Sequence, residues 1–345
     1  TDYNDVFVLP LAIGRQSLIA ARPRKDRQVT VIAADFANAE FSFKLDEAAA
    51  PSADQPWSNY VRGMAAAMQA AGYALTGADM VLAGNIPQGS GLSSSASVAV
   101  AVGIAFDAMA GLHLHATRVA RLAQACECDF VGTRCGIMDQ LVSARGKAGH
   151  ALLIDCRSLD CAPIPLPDQM AIVIVHSGIT RGLVEGAYNE RRAQCEAAAR
   201  HLGVAALRDA DLPQLEAHAA TLDAETFRRA RHVITENART LAAADALRAD
   251  DRAALGLLMA QSHASMRDDF AITLPPIDAL AAELQALIGP EGGARMTGGG
   301  FGGAVVALMP RYRAVNIAER LTYRTPDGAR PDILIESAAP GAGLL

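Results

Sequence analysis

Short apolar runs in the first half of the chain predict strands over VTVIAADF (29–36), ADMVLAGNI (78–86) and HALLIDCR (150–157). Between them WSNYVRGMAAAMQAAG (57–72) predicts a helix ending at Gly72. The stretch SSASVAVAVGIAFDAMAG (94–111) is apolar nearly all round, which predicts a helix buried on every side. TRVARLAQACECDFVG (117–132) reads as a second helix, with Thr117 the candidate N-cap. Prolines in PIPLPDQ (163–169) interrupt the pattern and mark a domain boundary. Beyond it a buried strand, MAIVIVHS (170–177), precedes long Ala/Arg/Glu-rich helices, one of them over 224–248 with a charged face. A turn at TPDGARPDI (325–333) leads to a final strand. The expected architecture is α+β: two domains, 1–164 and 165–345, with a cleft between them.

Composition narrows the partners. A chain of 345 residues exceeds one ordinary core, and 51 % hydrophobic against 20 % charged residues leaves ample material for two. A net charge of −6 favours neither nucleic acid nor an anionic membrane. No apolar run is long enough for a membrane span. The first stretch, TDYNDVFVLPLAIG, lacks the basic start of a signal peptide, and the six cysteines show no framework spacing, so a cytoplasmic location is expected. Lysine occurs only at 25, 44 and 147, and the remaining basic residues are arginines. That skew fits a GC-rich coding sequence better than any special phosphate chemistry.

The most informative stretch is PQGSGLSSSAS (87–97), between a predicted strand and a buried helix. A helix start leaves its first amides unpaired and partly positive, so it attracts anions. Gly89 and Gly91 let the backbone approach a ligand, and Ser93, Ser94 and Ser95 add hydroxyls. A Walker loop would need a lysine, and there is none between Lys44 and Lys147. The third glycine of a dinucleotide fingerprint is absent too. A serine-capped helix after a glycine turn would account for Ser93. It does not account for two glycines and three serines ahead of an apolar helix, so phosphate binding is favoured. A second glycine cluster, ARMTGGGFGGAVVALM (294–309), suggests close approach by a backbone or a ligand, but alone it could be an ordinary turn.

Two carboxylates sit among apolar neighbours, Asp139 in CGIMDQLVS and Glu127 in AQACECDFVG. Burying a charge is costly unless it is paired or functional. Glu127 with Ser95 could hold Mg²⁺, which takes one or two carboxylates together with phosphate and water oxygens. For either acid alone, an exposed helical carboxylate is the commoner arrangement, as Asp129 illustrates. His113 and His115 lack a third metal ligand at a suitable spacing, Cys126 and Cys128 read as packing, and His176 and Ser177 could line a cleft without forming a nucleophile elbow.

Together PQGSGLSSSAS, GIMDQ and RMTGGGFGG resemble the signature motifs of the GHMP kinases. TDYNDVFVLP, HALLIDCRSL and GAYNERRAQC are similar to blocks of the galactokinases within that family. The resemblance implies a two-domain GHMP kinase fold with the active site in its cleft, ATP-dependent phosphorylation of D-galactose at the anomeric hydroxyl, and ATP and Mg²⁺ as cofactors. It implies nucleotide contacts from Gly89, Ser90, Gly91, Leu92, Ser93, Ser94 and Ser95, Mg²⁺ on Ser95 and Glu127, and Asp139 as catalytic base. Asp2, Gly136 and Tyr188 would contact the sugar. An apolar setting raises the pKa of such a base while a neighbouring cation lowers it, so the two effects oppose each other. The expected partners are small molecules met by a monomer, with no nucleic acid and no membrane.

The family carries an arginine shortly before the position of Thr1, where it stabilises developing negative charge. Without it, impaired activity and an unpartnered first strand are expected. Val6 replaces a family glycine, which would alter the turn after Asp5. Alternative readings are a 1-kinase for N-acetylgalactosamine or arabinose, a galactose- and ATP-binding sensor, and an inactive truncated product. The complete SSSAS run and the presence of Asp139 favour the enzyme.

Overall fold

The computed structural model describes residues 1–87, 91–179 and 184–345. In chain order the elements are β1 (Phe7–Val8), β2 (Ser17–Arg24), β3 (Gln28–Ala33), β4 (Ala39–Lys44), α1 (Asn59–Ala70), β5 (Gly77–Gly84) and α2 (Ser94–Ala110). They continue as α3 (Ala116–Ala125), α4 (Met138–Arg145), β6 (His150–Asp155), β7 (Cys161–Pro165), β8 (Met170–His176) and α5 (Val184–Leu202). The last are α6 (Leu212–Ala217), α7 (Ala224–Arg248), α8 (Arg252–Asp268), α9 (Pro275–Ile288), β9 (Gly293–Thr297), β10 (Ala304–Pro310), α10 (Arg311–Arg320) and β11 (Ile333–Glu336).

These elements form two compact units, a smaller one of residues 12–87, 93–146 and 340–345, and a larger one of residues 1–11, 91–92, 147–179 and 184–339. The smaller unit carries a sheet in the order β2-β5-β3-β4, in which β3 runs parallel to β5 and the other pairs are antiparallel. Along β3 burial alternates, with Val29, Val31 and Ala33 inward, the period expected of a sheet covered on one face. Helix α2 packs against β2, α1, α3 and α4. It can do so because Gly103 presents no side chain: a Cβ there would meet Met64 Cε at 2.4 Å and Val119 Cγ1 at 2.9 Å. This is the helix whose sequence is apolar nearly all round, and its buried positions include Ala99, Val100, Val102 and Phe106.

The larger unit contains two sheets, β1-β6-β7 and β11-β8-β10-β9. Strand β8 is buried along all but its last residue and pairs antiparallel with both β10 and β11. Continuous apolar character, rather than alternation, is what a strand covered on both faces requires. Helices α8 and α9 pack on β9, and α5 and α8 pack on α7. The strand expected to lack a partner, β1, pairs with β6 through Phe7–Asp155 and Val8–Ile154. Because β6 and β7 belong to that same sheet, residues 147–164 group with the second half of the chain, whereas the sequence reading drew the domain boundary after 164.

Local departures have physical causes. The N-cap of α3 is His115, whose ring accepts from the Thr117 N–H at 3.3 Å, so Thr117 is not the cap. After Ala125 the helix does not continue as an α-helix to 132. It widens into a π-turn over Cys126–Val131, closed by Gly132 at φ 97°. Val6 leaves the neighbouring turn intact, because the left-handed residue there is Asp5 (φ 60°) and Val6 is a buried residue whose carbonyl accepts from the Cys156 N–H.

Candidate active site

Within the smaller unit, the start of α2 meets two carboxylates. Ser93 occupies the N-cap position but makes no capping hydrogen bond. Its backbone is left-handed (φ 56°, ψ 43°), and its hydroxyl donates to Asp139 Oδ2 at 2.6 Å. A non-glycine residue in that region is strained by about 1 kcal/mol, and a serine used only as a cap has no need of it. Ser94 and Ser95 are the first two residues of the helix proper, so their amides have no acceptor within it. The first helical hydrogen bond runs from the Ser97 N–H to the Ser93 carbonyl. Gly91 has a positive φ of 78°. Gly89 and Ser90 lie outside the described residues.

Glu127 is 5 % exposed, which corrects the reading of an exposed helical acid. The cause is helical phase. Ala123 and Ala120 lie one and two turns before it on the buried stripe of α3, and Glu127 extends that stripe into the π-turn. Asp129, two residues on, is exposed. Gln140 Nε2 donates to Glu127 Oε1 at 2.7 Å, and the Ser95 hydroxyl lies near this carboxylate. Burial pushes the Glu127 carboxyl above its usual range. The bond from Gln140 and the nearby Ser95 hydroxyl oppose that rise, and the charge of Asp139 adds to it. Asp139 itself lies in the first turn of α4, where the helix dipole favours an anion, and Gly136 is a buried residue just before it.

The residues present fit a hard divalent cation. Two like charges close enough to repel, a serine hydroxyl, and the buried, unpartnered Oε1 of Gln140 make an oxygen-rich, electron-rich corner that a cation would balance. Ser95 and Glu127 would hold it.

Within the larger unit, Asp2 opens a single 3₁₀ turn, Asp2–Asn4, and accepts from the Tyr3 N–H at 3.1 Å. The Tyr3 ring stands edge-on to Tyr188 with centroids 5.3 Å apart. The two tyrosines line a pocket with Thr1, Arg191, Glu236 and Arg295. Burial raises the Tyr3 phenol far above its ordinary value, so it stays neutral. The second glycine cluster wraps backbone around backbone. Phe301 N–H donates to the Ile272 carbonyl at 2.7 Å, and Gly300 lies so close that a Cβ would meet Ile272 Cβ and O at 2.6 Å. Ser177 lines no cleft: it is fully buried and donates to the Gly303 carbonyl at 2.7 Å.

The sequence reading missed Gln140 and Tyr3. Gln140 carried a signal, since it follows Asp139 directly in a block of apolar residues.

The chain belongs to the GHMP kinase family: residues 59–147 match the GHMP kinases N terminal domain and residues 243–326 the GHMP kinases C terminal. It is a kinase, a phosphotransferase of the GHMP fold. It is similar to the Lactococcus lactis galactokinase solved in complex with galactose, at 31 % identity over 100 % of this chain and 91 % of that one, with a TM-score of 0.92. The fold is shared more distantly. Methanococcus jannaschii mevalonate kinase is 15 % identical over 98 % of this chain and 93 % of that one, with a TM-score of 0.66. Streptococcus pneumoniae phosphomevalonate kinase, solved with phosphomevalonate and AMPPNP, is 12 % identical over 93 % and 92 %, with a TM-score of 0.60. Among the described residues no helix is long and apolar enough to cross a membrane.

Proposed function

We propose that this kinase transfers the γ-phosphoryl group of ATP to the anomeric hydroxyl of D-galactose, giving galactose 1-phosphate and ADP, as a cytoplasmic monomer. The observation that carries the reading is the meeting of the α2 start with two carboxylates, Ser93 donating to Asp139 and Glu127 lying beside Ser95. Phosphoryl transfer demands little covalent chemistry of a protein; it needs positioning, charge balance and a place for one proton. The choice of galactose rests on the similarity to the Lactococcus enzyme.

In this reading residues 89–95 receive the nucleotide phosphates at the amino end of α2. Mg²⁺, when bound with ATP, neutralises phosphate charge. Ser95 and Glu127 would hold the cation. Asp139 accepts the proton of the anomeric hydroxyl as the new O–P bond forms, and the Ser93 hydroxyl keeps the carboxylate turned through its hydrogen bond. Asp2 and Tyr188 recognise sugar hydroxyls, with Tyr3 holding the Tyr188 ring. The backbone at Gly136 has no side chain to obstruct the sugar.

A coupled ADP-release assay against galactose, N-acetylgalactosamine, arabinose, glucose and mevalonate tests the assignment. Galactose is expected to give the highest kcat/KM. Calorimetric binding of galactose and ATP with no ADP release would replace the enzyme by a sensor, and a higher kcat/KM for another acceptor would replace the substrate.

A further inference from the structure

Gln140 is 1 % exposed, yet its amide is not there to fill space. Its Nε2 donates to Glu127 Oε1 at 2.7 Å and lies 3.6 Å from Cys135 Sγ, so both amide hydrogens have acceptors. Its Oε1 is buried and has no hydrogen-bond partner among the described residues. Rotating the amide by half a turn would not help, because it would place the carbonyl oxygen against the Glu127 carboxylate and lose the hydrogen bond that decides the orientation. A buried acceptor left open is destabilising, and an apolar side chain of the same length would fill the space without that penalty. The arrangement therefore points to a partner other than the protein. The acceptor belongs to the side chain that grips the one deeply buried carboxylate of the corner, beside Ser95 and within electrostatic reach of Asp139.

We infer that Gln140 is a positioning residue for the divalent cation: it holds one oxygen of the Glu127 carboxylate in a fixed orientation through Nε2, and its Oε1 accepts a hydrogen bond from water of the cation's hydration shell. Magnesium keeps several of its waters when it binds protein carboxylates and phosphates, and those waters need acceptors. Groups that orient a metal ligand without touching the metal set affinity as strongly as some ligands do. The inference rests on the proposed role of Glu127 as a ligand of Mg²⁺.

The test separates the two. Mn²⁺ is titrated by electron paramagnetic resonance into the protein with a non-hydrolysable ATP analogue. The proteins compared are the unsubstituted chain, Gln140→Met, which keeps length and apolar fit, and Gln140→Asn, which keeps the amide but withdraws it by one methylene. Both substitutions are expected to weaken Mn²⁺ binding about 10- to 100-fold. They should raise the Mg²⁺ concentration for half-maximal rate to match, with galactose KM unchanged and kcat largely restored at saturating Mg²⁺. If one variant fails to fold, the other carries the measurement. Mn²⁺ affinity within twofold of the unsubstituted protein, in the presence of a large loss for Glu127→Gln, overturns the role of Gln140 while leaving Glu127 as ligand. Unchanged affinity in Glu127→Gln overturns the metal reading and this inference with it.

Discussion

The hydroxyl of Ser93 donates to Asp139 Oδ2 at 2.6 Å from a residue held at φ 56°, so the backbone at the head of α2 is bent in a way that points a side chain at the catalytic candidate instead of capping its own helix. Two effects can be told apart by substitution. Ser93→Ala removes the donor and keeps the strain, while Ser93→Gly removes both. Both variants are expected to lose about tenfold in kcat, the worth of one hydrogen bond to a charged group. Ser93→Gly should melt no lower than Ser93→Ala, because glycine enters the left-handed region freely. Steady-state kinetics with a thermal melt of each variant checks the pair. Unchanged kcat in both would detach Ser93 from the chemistry.

Asp139→Asn keeps the shape of the side chain and removes its ability to take a proton. Calorimetric affinities for galactose and ATP are expected within a few-fold of the original, with kcat reduced about 10²- to 10⁴-fold, the usual range for a lost general base. A variant that turns over at near its original rate would leave the transfer to proceed without a protein base.

Gly300 combines a φ of 90° with a Cβ position that would fall 2.6 Å from Ile272. Gly300→Ala therefore meets both backbone strain and backbone overlap, and neither can be relieved by turning a flexible side chain. A loss of about 1–3 kcal/mol is expected from the strain alone, read as a lower urea midpoint. An unchanged midpoint would mean that the glycine cluster is looser than its hydrogen bonds to Ile272 and Ile179 indicate.

Acid sensitivity has an identifiable source in the larger unit. His232 is buried, stacks on Phe270 with centroids 4.5 Å apart, and pairs through Nδ1 with Ser265 Oγ at 2.9 Å. Burial pushes its imidazole down from 6.5 to about 3. The unfolded chain takes up the proton below pH 6.5 and the folded chain does not, so this stability is present above 6.5 and is lost as pH falls toward 3. The slope is up to about 1.4 kcal/mol per pH unit. Burial would raise the Glu236 carboxyl, but the charges of Arg295 and Arg239 and the hydrogen bond from Ser262 oppose it and hold it at about 2, so its own loss falls between pH 4.5 and 2. Urea unfolding between pH 6.5 and 4.5 reads His232 together with His263, whose imidazole burial also lowers, and with Glu127, whose raised carboxyl acts in the opposite sense; His232→Gln is expected to reduce the slope there by its own share. The same slope in the variant would assign the acid response elsewhere.

Much of this protein was already legible as sequence. The span of α7 matches the expected 224–248, and α2 is buried on several faces as its composition required. The motifs that resemble the GHMP kinases fall where the family matches lie or close beside them. These features are local. Helical phase, apolar runs and glycine spacing act over a few residues, and a chain carries them wherever it folds. What packing alone decided were the pairings between distant residues. Ser93 reaches Asp139 across 46 positions and Gln140 reaches Glu127 across 13. Helical phase put Glu127 in line with Ala120 and Ala123, but no periodicity could tell that Gln140 would meet it there, or that Ser177 would turn inward to Gly303. Desolvation and hydrogen bonding depend on which surfaces meet, and those surfaces exist only once helices and sheets have packed.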